Sequence, residues 1–60
     1  MNILKYRKNK KLTQLQLAEL LGVSAQAVSK WELGLCAPDI SLLPELAEIF
    51  GVNIDALFEE

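Results

Sequence analysis

Gln26, Ser29 and Lys30 stand three and four residues apart, the spacing that gathers side chains on one face of a helix. Their chemistry suits the edges of base pairs. Glutamine bonds adenine through two hydrogen bonds, lysine bonds guanine or phosphate, and serine donates or accepts. Ser24 and the small residues Ala25 and Ala27 head the same stretch, so its N-terminus can approach base edges and thymine methyl groups. Upstream, Lys10, Lys11, Thr13 and Gln14 offer two cations and two hydrogen-bonding side chains for phosphate. A solvated polar helix face has the same composition, so residue types alone leave both readings open.

Catalytic chemistry is far less accessible. Histidine is absent and Cys36 is the one cysteine. Imidazole-based acid–base or nucleophilic catalysis is excluded, and so are an internal disulfide and the usual structural zinc sites. Sixty residues bury only about 60% of the surface exposed on unfolding, and their core supplies no more than about 3–5 kcal/mol. The expectation is one domain over residues 1–60, with no enzyme activity, metal or cofactor. No apolar run approaches the roughly 20 residues that span a bilayer, and Met1 to Lys5 hold no signal-peptide core. A cytoplasmic protein without a membrane partner is expected.

The elements that must position these side chains are helices. Gly22, Gly34 and Gly51 each follow an apolar periodic stretch, where a helix ends. Thr13 and Gln16 form a capping box, and Ser24 heads the next helix. Asp39 or Ser41 can cap a further stretch, and Asn53 a last short turn. The spacing predicts five helices, at 2–9, 14–21, 25–33, 40–50 and 54–58, with no strand. Pro44 is tolerable because it lies near its helix's start.

Leu17, Ala18, Leu21, Val23, Val28 and Trp31 are the inward candidates. Ala18 is small enough to let a second helix cross closely, and Gly22 permits a sharp turn. Two short helices joined this way make a helix-turn-helix; a generic helical hairpin explains the apolar residues but not small Ala18, Gly22 and the two polar caps at these offsets. With Val28 and Trp31 inward, the opposite face of the second helix carries Gln26, Lys30 and Leu33, with Ser29 at its edge. Arg7 shares the inward face of helix 1 with Ile3. Glu32 falls at the core edge, so the two should pair and tie helix 1 to the second helix of the motif.

The sequence has a pI near 5.0, which argues against nucleic acid, but its charge is divided. Residues 1–30 carry six cations and Glu19 as their acid, a charge of +5; residues 31–60 carry seven acids and no cation, a charge of −7. The basic half can face phosphate.

Leu12-Thr13-Gln14, Leu17-Ala18, Gly22-Val23-Ser24, Val28 to Glu32, Gly34, Pro38, Leu46-Ala47 and Phe50-Gly51-Val52 together resemble the phage Cro/repressor-type, or XRE, helix-turn-helix family. The resemblance covers nearly the whole chain. It implies an all-α, lambda-repressor-like domain of five helices with the helix-turn-helix at helices 2 and 3. It also implies sequence-specific binding of double-stranded DNA and a homodimer on a palindromic operator. Carried over by position, Gln14 contacts the DNA backbone, Thr13 lies against phosphate, and Ala25, Gln26, Ser29 and Lys30 face bases. Ala25 departs from the family in lacking a hydrogen-bonding side chain. The segment Glu32-Leu33-Gly34-Leu35-Cys36-Ala37 departs more, because relatives commonly place polar or basic residues there.

The leading expectation is a transcriptional regulator, a repressor acting by occupancy. The alternative is a protein-interaction module on the same fold, such as an antitoxin-like partner, using exposed leucines. Leu35 and Cys36 with Phe58 are the expected dimer contact; the competing arrangement folds Phe58 back onto Phe50 and Leu57.

Overall fold

A computed structural model describes residues 1–59. Its helices are α1 (Ile3–Asn9), α2 (Gln14–Leu21), α3 (Ala25–Leu33), α4 (Leu43–Phe50) and α5 (Ile54–Leu57), with a 3-10 turn at Ile40–Leu42. The stretch expected as one helix at 40–50 is thus divided. Asp39 accepts hydrogen bonds from the backbone N–H and the hydroxyl of Ser41, which tightens the first turn. Pro44 sits in the first turn of α4, where a missing N–H costs nothing. Asp39, not Ser41, is therefore the cap. Asn53 holds the cap position of α5 without a capping side-chain bond, and Phe58 follows the end of α5 instead of extending it.

Four helices end in one backbone pattern. The N–H two residues past the last turn returns to a carbonyl five residues earlier: Leu12 to Arg7, Val23 to Ala18, Leu35 to Lys30 and Val52 to Ala47. The pattern needs a left-handed residue just before that N–H. Gly22 fills it at the α2–α3 turn with φ +73°, at no steric cost. After α1 the position falls to Lys11, with φ +58°, the one non-glycine residue in this region among those described. No local sequence signal marks it.

Leu17, Ala18 and Leu21 of α2 close on Val28 and Trp31 of α3, and Ile3, Leu46, Ala47, Phe50 and Leu57 complete the buried core. Val23, expected inside, is half-buried at the corner. The chain's two ends are drawn together. The Asn2 N–H donates to the Leu57 carbonyl at 3.0 Å, Tyr6 Oη donates to the Ala56 carbonyl at 3.3 Å, and the Tyr6 ring stacks on Phe50 at 5.6 Å. With Tyr6 on Phe50, Phe58 remains 55% exposed.

Candidate nucleic-acid interface

The site is built on α3. Ser24 caps it by accepting from the Ala27 N–H at 3.1 Å, and α3 packs along α2 through Val28 and Trp31. Burying those two side chains leaves Gln26 and Lys30 exposed and Ser29 at the rim. Leu33, one turn further, is 70% exposed. Ala25 and Ala27 lie half-buried against the core, so they offer a close backbone approach and little free methyl surface.

α2 presents its own N-terminus. Thr13 Oγ1 accepts from the Gln16 N–H at 3.0 Å, and Gln16 Oε1 accepts from the Thr13 N–H at 2.8 Å. A capping hydroxyl spends an acceptor and keeps its proton, so Thr13 and Ser24 can each still donate to a phosphate oxygen. The first N–H groups of α2 and α3 lack intrahelical partners and favour an anion.

α3 is fixed to the rest of the molecule by a polar cluster. Arg7 grips Glu32 through two hydrogen bonds, Nε to Oε2 at 2.6 Å and Nη2 to Oε1 at 3.1 Å. Arg7 Nη1 also donates to the Leu12 carbonyl at 2.8 Å. The Arg7 and Glu32 side chains are only 12% and 6% exposed. Burial pushes the Glu32 carboxyl up, but the hydrogen bonds from Arg7 and Gln14, with the charges of Arg7 and Lys8, outweigh it and hold the group below its usual range. The Glu32 hydrogen bond, joined by its charge and opposed by burial, raises Arg7.

Two of the side chains expected at DNA, Gln14 and Lys10, have neighbours within the protein. Gln14 Nε2 donates to Glu32 Oε1 at 2.9 Å, so its amide is partly committed to joining α2 to α3. Periodicity within α3 says nothing about a side chain on α2, so no local pattern marks this role of Gln14. The Lys10 ammonium lies 3.7 Å from where a Cβ on Gly51 would stand. It therefore rests at the negative end of the α4 dipole. Lys11 and Lys30 are exposed.

A family profile described as helix-turn-helix matches residues 3–57. The chain belongs to the Cro/repressor-type helix-turn-helix family. This is a family of regulators and not of enzymes. An uncharacterized HTH-type transcriptional regulator of Bacillus subtilis, YqaE, is 40% identical over 58 residues, covering 97% of this chain and 50% of YqaE. The HTH-type transcriptional activator BcrR of Enterococcus faecalis is 49% identical over 51 residues, covering 85% of this chain and 25% of BcrR. An uncharacterized HTH-type transcriptional regulator of Methanocaldococcus jannaschii, MJ0272, is 43% identical over 53 residues, covering 88% of this chain and 80% of that protein. The chain thus spans half the length of YqaE and a quarter of BcrR. No solved structure gives a significant match.

In this helix-turn-helix chain the segment after α3 is apolar and exposed. Leu12, Val23 and Val52, which donate the closing bonds of the other helix caps, pack against the core, whereas Leu35 is 70% exposed. Cys36 is a free, exposed thiol. Met1, Trp31, Leu33, Cys36 and Pro38 line a hollow of about 480 Å³. Among the described residues no cluster of acidic, cysteine or histidine side chains could hold a metal ion. Among them too, no helix is long and apolar enough to cross a membrane.

Proposed function

We propose that this chain binds double-stranded DNA in a sequence-specific manner and regulates transcription, with α3 lying in the major groove. One observation carries the reading. Val28 and Trp31 are buried against α2 while Gln26 and Lys30, on the opposite side of the same helix, are exposed and Ser29 stands at the rim. Gln26, Ser29 and Lys30 read base edges. Lys11, the Thr13 and Ser24 hydroxyls and the helix N-termini hold phosphate, and Gln14 contributes to the backbone contact through what its bond to Glu32 leaves free. Lys10 adds a phosphate contact when its flexible stem swings away from Gly51. The Arg7–Glu32 pair sets the angle at which α3 meets the groove. The relatives, all named as transcriptional regulators, support the same reading.

The finer proposal is a repressor that occupies a palindromic operator as a homodimer. Two recognition helices about 34 Å apart read successive major grooves on one side of the duplex. Leu35, Cys36 and Phe58 form the contact between copies. The Asn2–Leu57 bond brings the approach to Phe58 beside the N-terminus, and Met1 lines the hollow that Cys36 also lines. Repression requires occupancy alone, whereas the relative BcrR is named an activator, and a promoter–reporter fusion decides the sign. Binding-site selection from random duplex DNA tests the whole proposal: a single palindromic consensus is expected. A pool no richer in any sequence than its input rejects specific DNA binding.

A further inference from the structure

A second surface runs along α2, from the turn before it on one side to α4 on the other, and uses none of the base-reading residues. Two hollows share Leu20, which is 58% exposed. One, of about 400 Å³, is lined by Leu20, Glu45, Glu48 and Ile49. The other, of about 360 Å³, is lined by Leu12, Gln16, Glu19 and Leu20. Both are shallow and open to solvent, the shape of a docking surface and not of an enclosed ligand cavity. The two walls have one design. On α2, Gln16, Glu19 and Leu20 stand at i, i+3 and i+4; on α4, Glu45, Glu48 and Ile49 repeat the spacing. Each helix therefore turns a carboxylate and an adjacent branched apolar side chain toward the groove.

The charge of the groove selects its occupant. Glu45 and Glu48 line the hollow between α2 and α4, Glu19 lines the adjoining one across Leu20, and no cation lines either. DNA and anionic lipid are repelled by such a rim. An extended apolar peptide would leave the three charges unanswered. A helix with apolar anchors on one face and lysine or arginine along both edges satisfies floor and rim together. We propose that the α2–α4 groove docks a cationic amphipathic helix of a partner protein, its apolar side chains on Leu20 and Ile49 and its cations against Glu19, Glu45 and Glu48. The proposal stands apart from the DNA reading, and the contact leaves α3 free.

The test uses the 60-residue chain and a synthetic amphipathic helical peptide of roughly 15 residues, leucine on one face and lysine along the edges. Amide chemical shifts map the contact, and titration gives the affinity. Shifts should centre on α2 and α4, at Glu19, Leu20, Glu48 and Ile49. Leu20→Ser, and separately Glu45→Lys with Glu48→Lys, should each weaken binding by about tenfold or more. A control peptide with serine in place of leucine should lose a similar factor. The altered side chains, Leu20, Glu45 and Glu48, are all exposed, so thermal melts should be unchanged and confirm that the variants fold. Equal affinity for the leucine and serine peptides, or shifts spread over every acidic residue, would show charge attraction without a groove and overturn the proposal. Self-association of the free chain that Leu20→Ser abolishes would assign the groove to a second copy and overturn it as well.

Discussion

Removing Glu32 should come close to unfolding the protein. Glu32→Ala leaves Arg7, 12% exposed, with Nε and Nη2 unanswered, and Gln14 Nε2 loses the same acceptor. An exposed ion pair contributes about 0–1 kcal/mol, whereas removing one partner of a buried pair costs about 3–5. With side chains nearly covered and three hydrogen bonds converging on the carboxylate, we expect about 2–4 kcal/mol for Glu32→Ala or Arg7→Ala. The whole domain holds about 3–5 kcal/mol. Urea unfolding followed by Trp31 fluorescence is the assay, because Trp31 is the one tryptophan, is 8% exposed and adjoins Glu32. The double variant should lose markedly less than the sum of the single losses, with a coupling of about 1.5–3 kcal/mol. If a single variant is unfolded in buffer, the same cycle is run in a stabilising osmolyte. Coupling below about 0.5 kcal/mol would refute the claim that this pair fixes α3.

The same carboxylate predicts an acid limb. Because Glu32 is held below 4.5 in the folded state, its contribution is complete above that value and is lost as pH falls through the folded pKa; Glu32→Gln should flatten that part of the stability profile. Lys11→Gly should stabilise the fold by about 0.5–1 kcal/mol in urea melts, since glycine takes the left-handed conformation without the Cβ penalty; a loss of stability would contradict the strain assigned there. Few phosphate contacts per copy should give a log K against log salt slope of about 3–5 in magnitude. Lys11→Ala should reduce it, and a slope near zero would remove electrostatic anchoring. Leu35→Glu should abolish cooperative operator binding in sedimentation and titration while leaving the melt unchanged; unaltered cooperativity places the contact between copies elsewhere.

The helix-turn-helix was legible because its ends are written locally. Thr13 and Gln16, Gly22, Ser24 and Gly34 mark both helices to the residue. The outward position of Gln26 and Lys30 followed from the burial of Val28 and Trp31, as helical periodicity requires. What escaped was non-local or energetically ambiguous. Lys11 adopts a left-handed conformation because Leu12 must return its N–H to Arg7, and no glycine announces it. Gln14 turns toward Glu32, a partner 18 positions away. Lys10 lies over Gly51 of a helix end 41 positions along the chain, which no local pattern encodes. The division at Ile40–Leu42 arises from Asp39 competing for the Ser41 N–H, a choice that periodicity does not distinguish from a longer helix.

Whether α3 reads DNA through its exposed stripe is tested most directly by repeating binding-site selection with Gln26→Ala. Gln26 caps nothing, and its side chain is exposed, so the variant should fold as the parent does. The parent should select one sequence. The variant should lose about 1–3 kcal/mol of preference at one base pair in each half-site, with the remaining positions unchanged. An identical selected sequence from parent and variant would contradict the placement of α3 in the groove.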